Sequence, residues 1–344
     1  MKIAAHSTLF HTSKILFLKI IFFVLSSLIL FWVLTLDRTL IYDNDNYLKY
    51  FSGNQLSFFL NQFNTLSASN KFYFLFSEEY LWLLYADFVS FFFSPGKGLL
   101  FTVFLINFLL LISFYKLKRP IISLLFWAIL PMGLAVCGVA QIRQGLAFAI
   151  FTFMYIYFNR PLLGAAIASM VHTTFCVPLL FIFIYSIFKN KKLLLLALIF
   201  LVSVAIITFI NHFFLEIGGR RALTYTGDMG IPSINSIIAL FIFFIPTVSY
   251  LYFQKKCDVI FVTYYGLFIW ILFSFFLFPM ATIRIYYYNY LFLIFLFGDK
   301  YENTSFIHLY FLYIFLPVIS FYSLLLFQGG GYDTLQLYFL SNHS

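Results

Sequence analysis

Lys116-Leu117-Lys118-Arg119, then the uncharged run 121–140, then Gln141-Ile142-Arg143-Gln144-Gly145-Leu146-Ala147: reading this stretch decides the fold. As a helix rising about 1.5 Å per residue, 121–140 spans the roughly 30 Å hydrocarbon core of a bilayer. A basic cluster closes one end. An arginine stands at the other, between two apolar stretches, where a charge costs several kcal/mol unless it has a partner or a task. Further apolar runs lie at 15–36, 99–115, 144–158, 161–188, 193–214, 233–253, 259–280, 284–297 and 306–327, with a shorter one at 79–94. Lys189-Asn190-Lys191-Lys192 and Gln254-Lys255-Lys256 punctuate them.

Composition agrees. The chain is 63% hydrophobic and 10% charged, with 52 Phe and 25 Tyr, and its mean hydropathy is +0.98. These values exclude a soluble globular domain. The expected architecture is one all-α polytopic membrane domain over 1–344, with about nine to eleven membrane helices. The outer segments are expected at about 37–98 and 216–232. The net charge of +9 is scattered between apolar runs rather than gathered into a basic face, so it orients spans and does not bind nucleic acid. Cys137, Cys176 and Cys257 show no metal-ligand spacing and read as small apolar residues, and no metal or cofactor is expected. Ile15–Leu36 follows Lys2 and Lys14 without a small-residue cleavage site, and reads as a retained first span.

Charge bias arbitrates the topology. If 79–94 and 161–188 each crossed once, Lys and Arg would divide almost evenly between the two sides. If 79–94 stays outside and 161–188 is a re-entrant hairpin, 13 of the 21 lie inside and 8 outside. The second arrangement is expected. It puts Arg143, Arg220, Arg221 and Arg284 on the outer face. The hairpin turns at Val171-His172-Thr173-Thr174-Phe175-Cys176-Val177-Pro178, where polar residues and a proline let the backbone break beside a cavity. Tyr42-Asp43-Asn44-Asp45-Asn46-Tyr47 is the densest polar cluster and follows the first span directly. Tyr287 and Tyr288 share a helix face with Arg284. No internal repeat is visible, which weighs against transporters built from two similar halves.

Several of these residues carry a family resemblance: Asp43, Asp45 and Tyr47 after the first span, Glu78-Glu79 before a short aromatic segment, Arg143-Gln144 with Ala147, and Ala168 before His172. Over about residues 40–190 the chain resembles the EpsG family of Wzy-type bacterial polysaccharide polymerases. It departs from that pattern at Tyr80-Leu81, where a Pro-Gly pair is common, and at Phe175, where a small residue is. The resemblance implies a multi-pass enzyme of the bacterial inner membrane, related to lipid-linked-sugar glycosyltransferases, with its active site facing the periplasm. It would join undecaprenyl-diphosphate-linked oligosaccharide repeats into O-antigen or a capsule-like polymer, in contact with membrane lipid and a chain-length regulator.

Glycosyl transfer from a lipid diphosphate needs positive charge on the leaving group and a base for the attacking hydroxyl. Arg143 and Arg284 suit the first task, because a guanidinium stays charged and matches phosphate oxygens. His172 suits the second, with a pKa near neutrality. Asp43 and Asp45 compete with it, since the resemblance places an acidic base just after the first span. The catalytic candidates are therefore Asp43, Asp45, His172 and Arg143. Arg284, Glu79, Gln144, Tyr288, Arg220, Arg221 and Tyr225 are candidate substrate contacts. The rival functions are a flippase or transporter for the same lipid-linked oligosaccharide, and a sugar acyltransferase.

Overall fold

The computed structural model describes residues 2–35, 44–67, 71, 74, 78–129, 132–217, 258–274 and 279–300. For 2–15, 58, 129, 132, 208–217, 279–284 and 299–300 it describes the helical backbone alone. All regular structure among these residues is helical: α1 (Lys2–Thr35), α2 (Asn44–Tyr50), α3 (Gln55–Thr65), α4 (Tyr80–Phe92), α5 (Pro95–Tyr115), α6 (Pro120–Ile129), α7 (Ile142–Phe158), α8 (Pro161–Val171), α9 (Cys176–Phe188), α10 (Lys192–Ile217), α11 (Val259–Ser274) and α12 (Pro279–Phe295). A wide-turn π-helical segment, Met132–Ala140, joins α6 to α7. The apolar runs 233–253 and 306–327 lie outside the described residues.

Two helices, Leu16–Thr35 within α1 and Pro95–Tyr115, are long and apolar enough to cross a membrane. The bent pair 120–128 and 133–140 makes a third if it counts as one span. The other apolar helices are shorter over the residues whose side chains are described, Lys192–Ile207 of α10 among them. Their packing shows which faces meet protein. Along α1, Leu16, Phe17, Ile20, Phe23, Leu28 and Phe31 are exposed, the pattern of a helix that meets lipid on most of its surface. In α11 and α12 nearly every described side chain is buried, so these helices sit inside the bundle.

Local chemistry sets the boundaries. Pro95 and Pro161 occupy first-turn positions, where a missing N–H costs nothing. Asn159 ends α7 in the left-handed region, φ 52°, and α8 turns straight back along α7, against which it packs. Residue His172 is extended, φ −146° and ψ 115°, and terminates α8. One 3-10 turn, Thr173–Phe175, then leads into α9. Pro178 falls in the first turn of α9, so it interrupts no ladder. The helices on either side of His172, α8 and α9, pack against each other. Thus the run 161–188 is broken at the residue where the sequence suggested a turn.

The segment 37–98, expected on the outer side with a short apolar run at 79–94, holds the helices α2, α3 and α4 among its described residues. Asp87 of α4 caps α3 from outside, accepting the Gln55 and Leu56 N–H groups at 3.1 and 2.7 Å. Trp82, fully buried, meets Tyr47, Tyr50 and Phe51 edge-on, with ring centroids 5.7–6.2 Å apart. This aromatic cluster holds the seven-residue α2, too short to be stable alone. In the bundle, Asn107 donates to the carbonyls of Val103 and Gly138 and accepts from Trp127 Nε1 at 3.1 Å, tying α5, α6 and the π segment together.

Gly145 sets how closely α7 approaches that π segment, because a Cβ there would run into the Cys137 carbonyl. Gly145→Ala is therefore expected to lower stability by about 1–3 kcal/mol, read as a lower Tm of the detergent-purified protein. Gly96→Ala, with open space around its Cβ, is expected to leave Tm unchanged or slightly raised.

Candidate functional site

The site is built from three parts of the chain that sequence order keeps far apart. Glu79 precedes α4, Arg143 stands in the first turn of α7, and His172 lies at the break between α8 and α9. Glu79 has φ 56° and ψ 52°, a left-handed conformation that is uncommon for a residue with a Cβ. Its carbonyl accepts the N–H groups of Trp82 and Leu83, opening α4. That local arrangement sends its carboxylate inward, where only 3% of the side chain is exposed.

Both carboxylate oxygens are committed. Oε2 accepts from Arg143 Nη1 at 2.5 Å. Oε1 is 2.6 Å from His172 Nδ1, and also accepts from the Thr173 backbone N–H at 3.2 Å. The extended conformation of His172 thus does two things: it ends α8, and it presents the next N–H to the same carboxylate.

Burial alone would push the Glu79 carboxyl up. The charges of His172 and Arg143 and these hydrogen bonds outweigh it and hold the group well below the usual carboxylate range. An ionised carboxylate only accepts, so His172 Nδ1 carries the proton of that bond.

Arg143 links this cluster to a cavity. Its guanidinium lies 5.5 Å from the centre of the Tyr50 ring. A cavity of about 260 Å³ is lined by Asn46, Tyr47, Lys49, Tyr50, Gln55 and Arg143. Four of those six come from α2. Gln55 donates its amide Nε2 to the Lys49 carbonyl at 3.2 Å, closing the chain around the cavity.

Of the residues singled out from sequence, Arg143, His172 and Glu79 are brought together. Asp45 is exposed in the first turn of α2, next to the cavity-lining Asn46. Gln144 and Tyr288 are buried in the core and do not line the cavity. Tyr288 packs edge-on against Phe175 at 4.9 Å and lies 6.4 Å from the His172 ring, behind the site rather than in it. Arg284 falls within α12, but its side chain is outside the described residues, as are Asp43, Arg220, Arg221 and Tyr225. Sequence reasoning missed Asn46, Lys49, Tyr50 and Gln55. Their signal was the i, i+3, i+4 spacing of 46, 49 and 50, which places them on one helical face. Among the described residues no group of three or more His, Cys, Asp or Glu could hold a metal ion.

No protein-family model, curated protein or solved structure matches this chain.

Removing one member of a buried ion pair leaves the other uncompensated, at a cost of about 3–5 kcal/mol. Glu79→Gln should therefore destabilise strongly, and Glu79→Gln with Arg143→Gln should recover part of the loss. Chemical unfolding in detergent, run as a double-mutant cycle, reads the coupling directly. Because the Glu79 pKa is depressed in the folded state, its contribution is complete above its unfolded value near pH 4 and is lost as pH falls through the folded one. Wild-type stability should show this loss on acidification below about pH 4, and the loss should shrink in Glu79→Gln.

Proposed function

We propose that this chain is a membrane-embedded glycosyltransferase that joins lipid-linked oligosaccharide repeats into a bacterial surface polysaccharide on the outer side of the cytoplasmic membrane. The observation that carries this reading is the Glu79 carboxylate gripping Arg143 and His172 at once, with Arg143 opening onto a cavity of sugar-ring size. A charge cluster of this kind is costly in an apolar bundle and marks a working site. The likeness of these three residues and of the Asp43–Tyr47 element to the polysaccharide polymerases supplies the substrate class.

In this reaction the bond between the anomeric carbon of the growing glycan and its lipid-diphosphate oxygen breaks. A hydroxyl of the incoming repeat forms the new glycosidic bond, its proton passes to a base, and the lipid diphosphate leaves with the bonding electron pair. Arg143 meets the charge that develops on the leaving diphosphate. Its rigid pairing with Glu79 fixes the direction of the guanidinium before substrate arrives, so little reorganisation is needed. His172 does not line the cavity, and its Nδ1 is spent on Glu79. It is a positioning residue, and the role of proton acceptor goes to Asp43 or to Asp45, the latter in the first turn of α2 next to the cavity-lining Asn46.

The test is glycan length in a strain whose own copy is deleted, complemented at equal membrane abundance. Deletion should leave single repeats on the lipid core. Wild type should restore a ladder, and Arg143→Ala should fail to, with polymer reduced about a hundredfold or more. His172→Asn, whose amide can still donate to Glu79, should retain more polymer than His172→Ala. Equal loss in both would make His172 the base instead. A deletion strain lacking surface repeats altogether would point to a flippase, and one with a full ladder to decoration of a finished glycan.

A further inference from the structure

Arg143 cannot by itself balance the charge of a diphosphate, because Glu79 already neutralises it at 2.5 Å. The cavity it opens onto holds a second cation. Lys49, exposed at the C-terminal end of α2, lines the same space, with the Asn46 and Gln55 amides and the Tyr47 and Tyr50 rings around it. We propose that this α2 cavity is an anion subsite that takes the diphosphate of a prenyl-diphosphate-linked sugar, with Lys49 supplying the net positive charge and Arg143 a pre-aimed hydrogen-bond fork. The assignment deepens the glycosyltransferase reading and rests on it for the lipid portion of the ligand.

Size and chemistry both bear on it. A volume of about 260 Å³ equals that of about nine waters at roughly 30 Å³ each. A diphosphate or one sugar ring fits there, and a whole repeat unit does not. The ligand head would sit inside, with its lipid and remaining sugars outside. Gln55 gives an amide proton to the Lys49 carbonyl, so its oxygen is suited to accept a hydroxyl from the sugar next to the phosphates. The lining therefore offers ammonium and guanidinium donors to phosphate oxygens and an acceptor to a sugar hydroxyl. A plain hydrocarbon would use none of these groups.

The subsite also explains the aromatic packing beneath it. Trp82 fixes Tyr47, Tyr50 and Phe51 edge-on, which holds the cavity face of α2 over Arg143. The wall is formed before ligand arrives, and the ordering cost of binding is reduced accordingly.

The experiment is equilibrium binding to the purified full-length chain in nanodiscs of neutral lipid, with farnesyl diphosphate, farnesol and inorganic pyrophosphate as probes. Farnesyl diphosphate should bind, with a Kd that rises as salt is added. Lys49→Gln should weaken it by about tenfold or more, while Lys49→Arg should stay near wild type. Lys97→Gln, an exposed cation outside the cavity, should change nothing. Weaker binding of inorganic pyrophosphate would identify the lipid-linked source, and equal binding would make the site one for free phosphate. The subsite is overturned if farnesol binds as well as farnesyl diphosphate, if Lys49→Gln binds like wild type, or if vesicles of phosphatidylglycerol displace the probe as effectively as the diphosphate itself. Binding requires no polymerisation, so the two readings fail separately. A full glycan ladder in the deletion strain with Lys49-dependent binding removes the polymerase and keeps the cavity; the reverse pattern removes the cavity alone.

Discussion

One buried carboxylate organises this molecule. Glu79 is held in a left-handed backbone conformation at the start of α4 and reaches Arg143 on α7 and His172 at the α8–α9 break. In a chain that is 63% hydrophobic, an uncompensated charge at such a place would be expelled or neutralised. Each partner therefore needs the others, and the backbone around each is shaped to bring them in. α8 ends early at His172, and the π segment with Gly145 behind it lets α7 seat closely where Arg143 begins.

The same constraint accounts for the unusual helix lengths. A simple span needs about 20 residues, and Leu16–Thr35 and Pro95–Tyr115 are long and apolar enough over residues whose side chains are described, without counting a bend. The helices that build the site are shorter: α8 has 11 residues and α9 has 13. Non-helical backbone inside an apolar bundle needs partners for its freed polar groups. Here the freed Thr173 N–H goes to Glu79, and the His172 carbonyl takes the Phe175 N–H at 2.9 Å. The break and the charge cluster are thus one structural solution, each supplying what the other lacks.

How much of this the sequence revealed follows from how strongly each residue violates its surroundings. Arg143 and His172 stood out because a charged or titratable group amid apolar residues is costly wherever it points. The break in 161–188 was legible from His172-Thr173-Thr174 and Pro178 for the same reason. Glu79 was visible only beside Glu78, and nothing local told which of the two turns inward; the answer lies in the backbone at 79, with Glu78 exposed. Gln144 and Tyr288, candidate substrate contacts by sequence, are buried in the core away from the α2 cavity, a placement set by helix packing that neighbouring residues in the sequence do not reveal. Residues 44–50 resembled a polar loop, since α2 gains its stability from Trp82, more than thirty positions away. Asn46, Lys49 and Gln55 are ordinary surface residues until that tertiary contact folds them over Arg143.

Charge accounting separates the roles of the two basic side chains at the cavity. An arginine locked to a buried glutamate has a fixed direction and little net field, so it recognises geometry better than it attracts charge. An exposed lysine on a flexible stem has the opposite character: it contributes a full charge with little directional demand. A site for a substrate carrying both phosphate charge and a defined leaving oxygen benefits from one of each. The pairing also protects the resting protein. If Arg143 lacked Glu79, the bundle would hold an uncompensated guanidinium whenever the cavity was empty, and stability would depend on substrate. With the pair in place, the fold is charge-balanced before binding, and attraction for an anion rests on the exposed lysine at the rim.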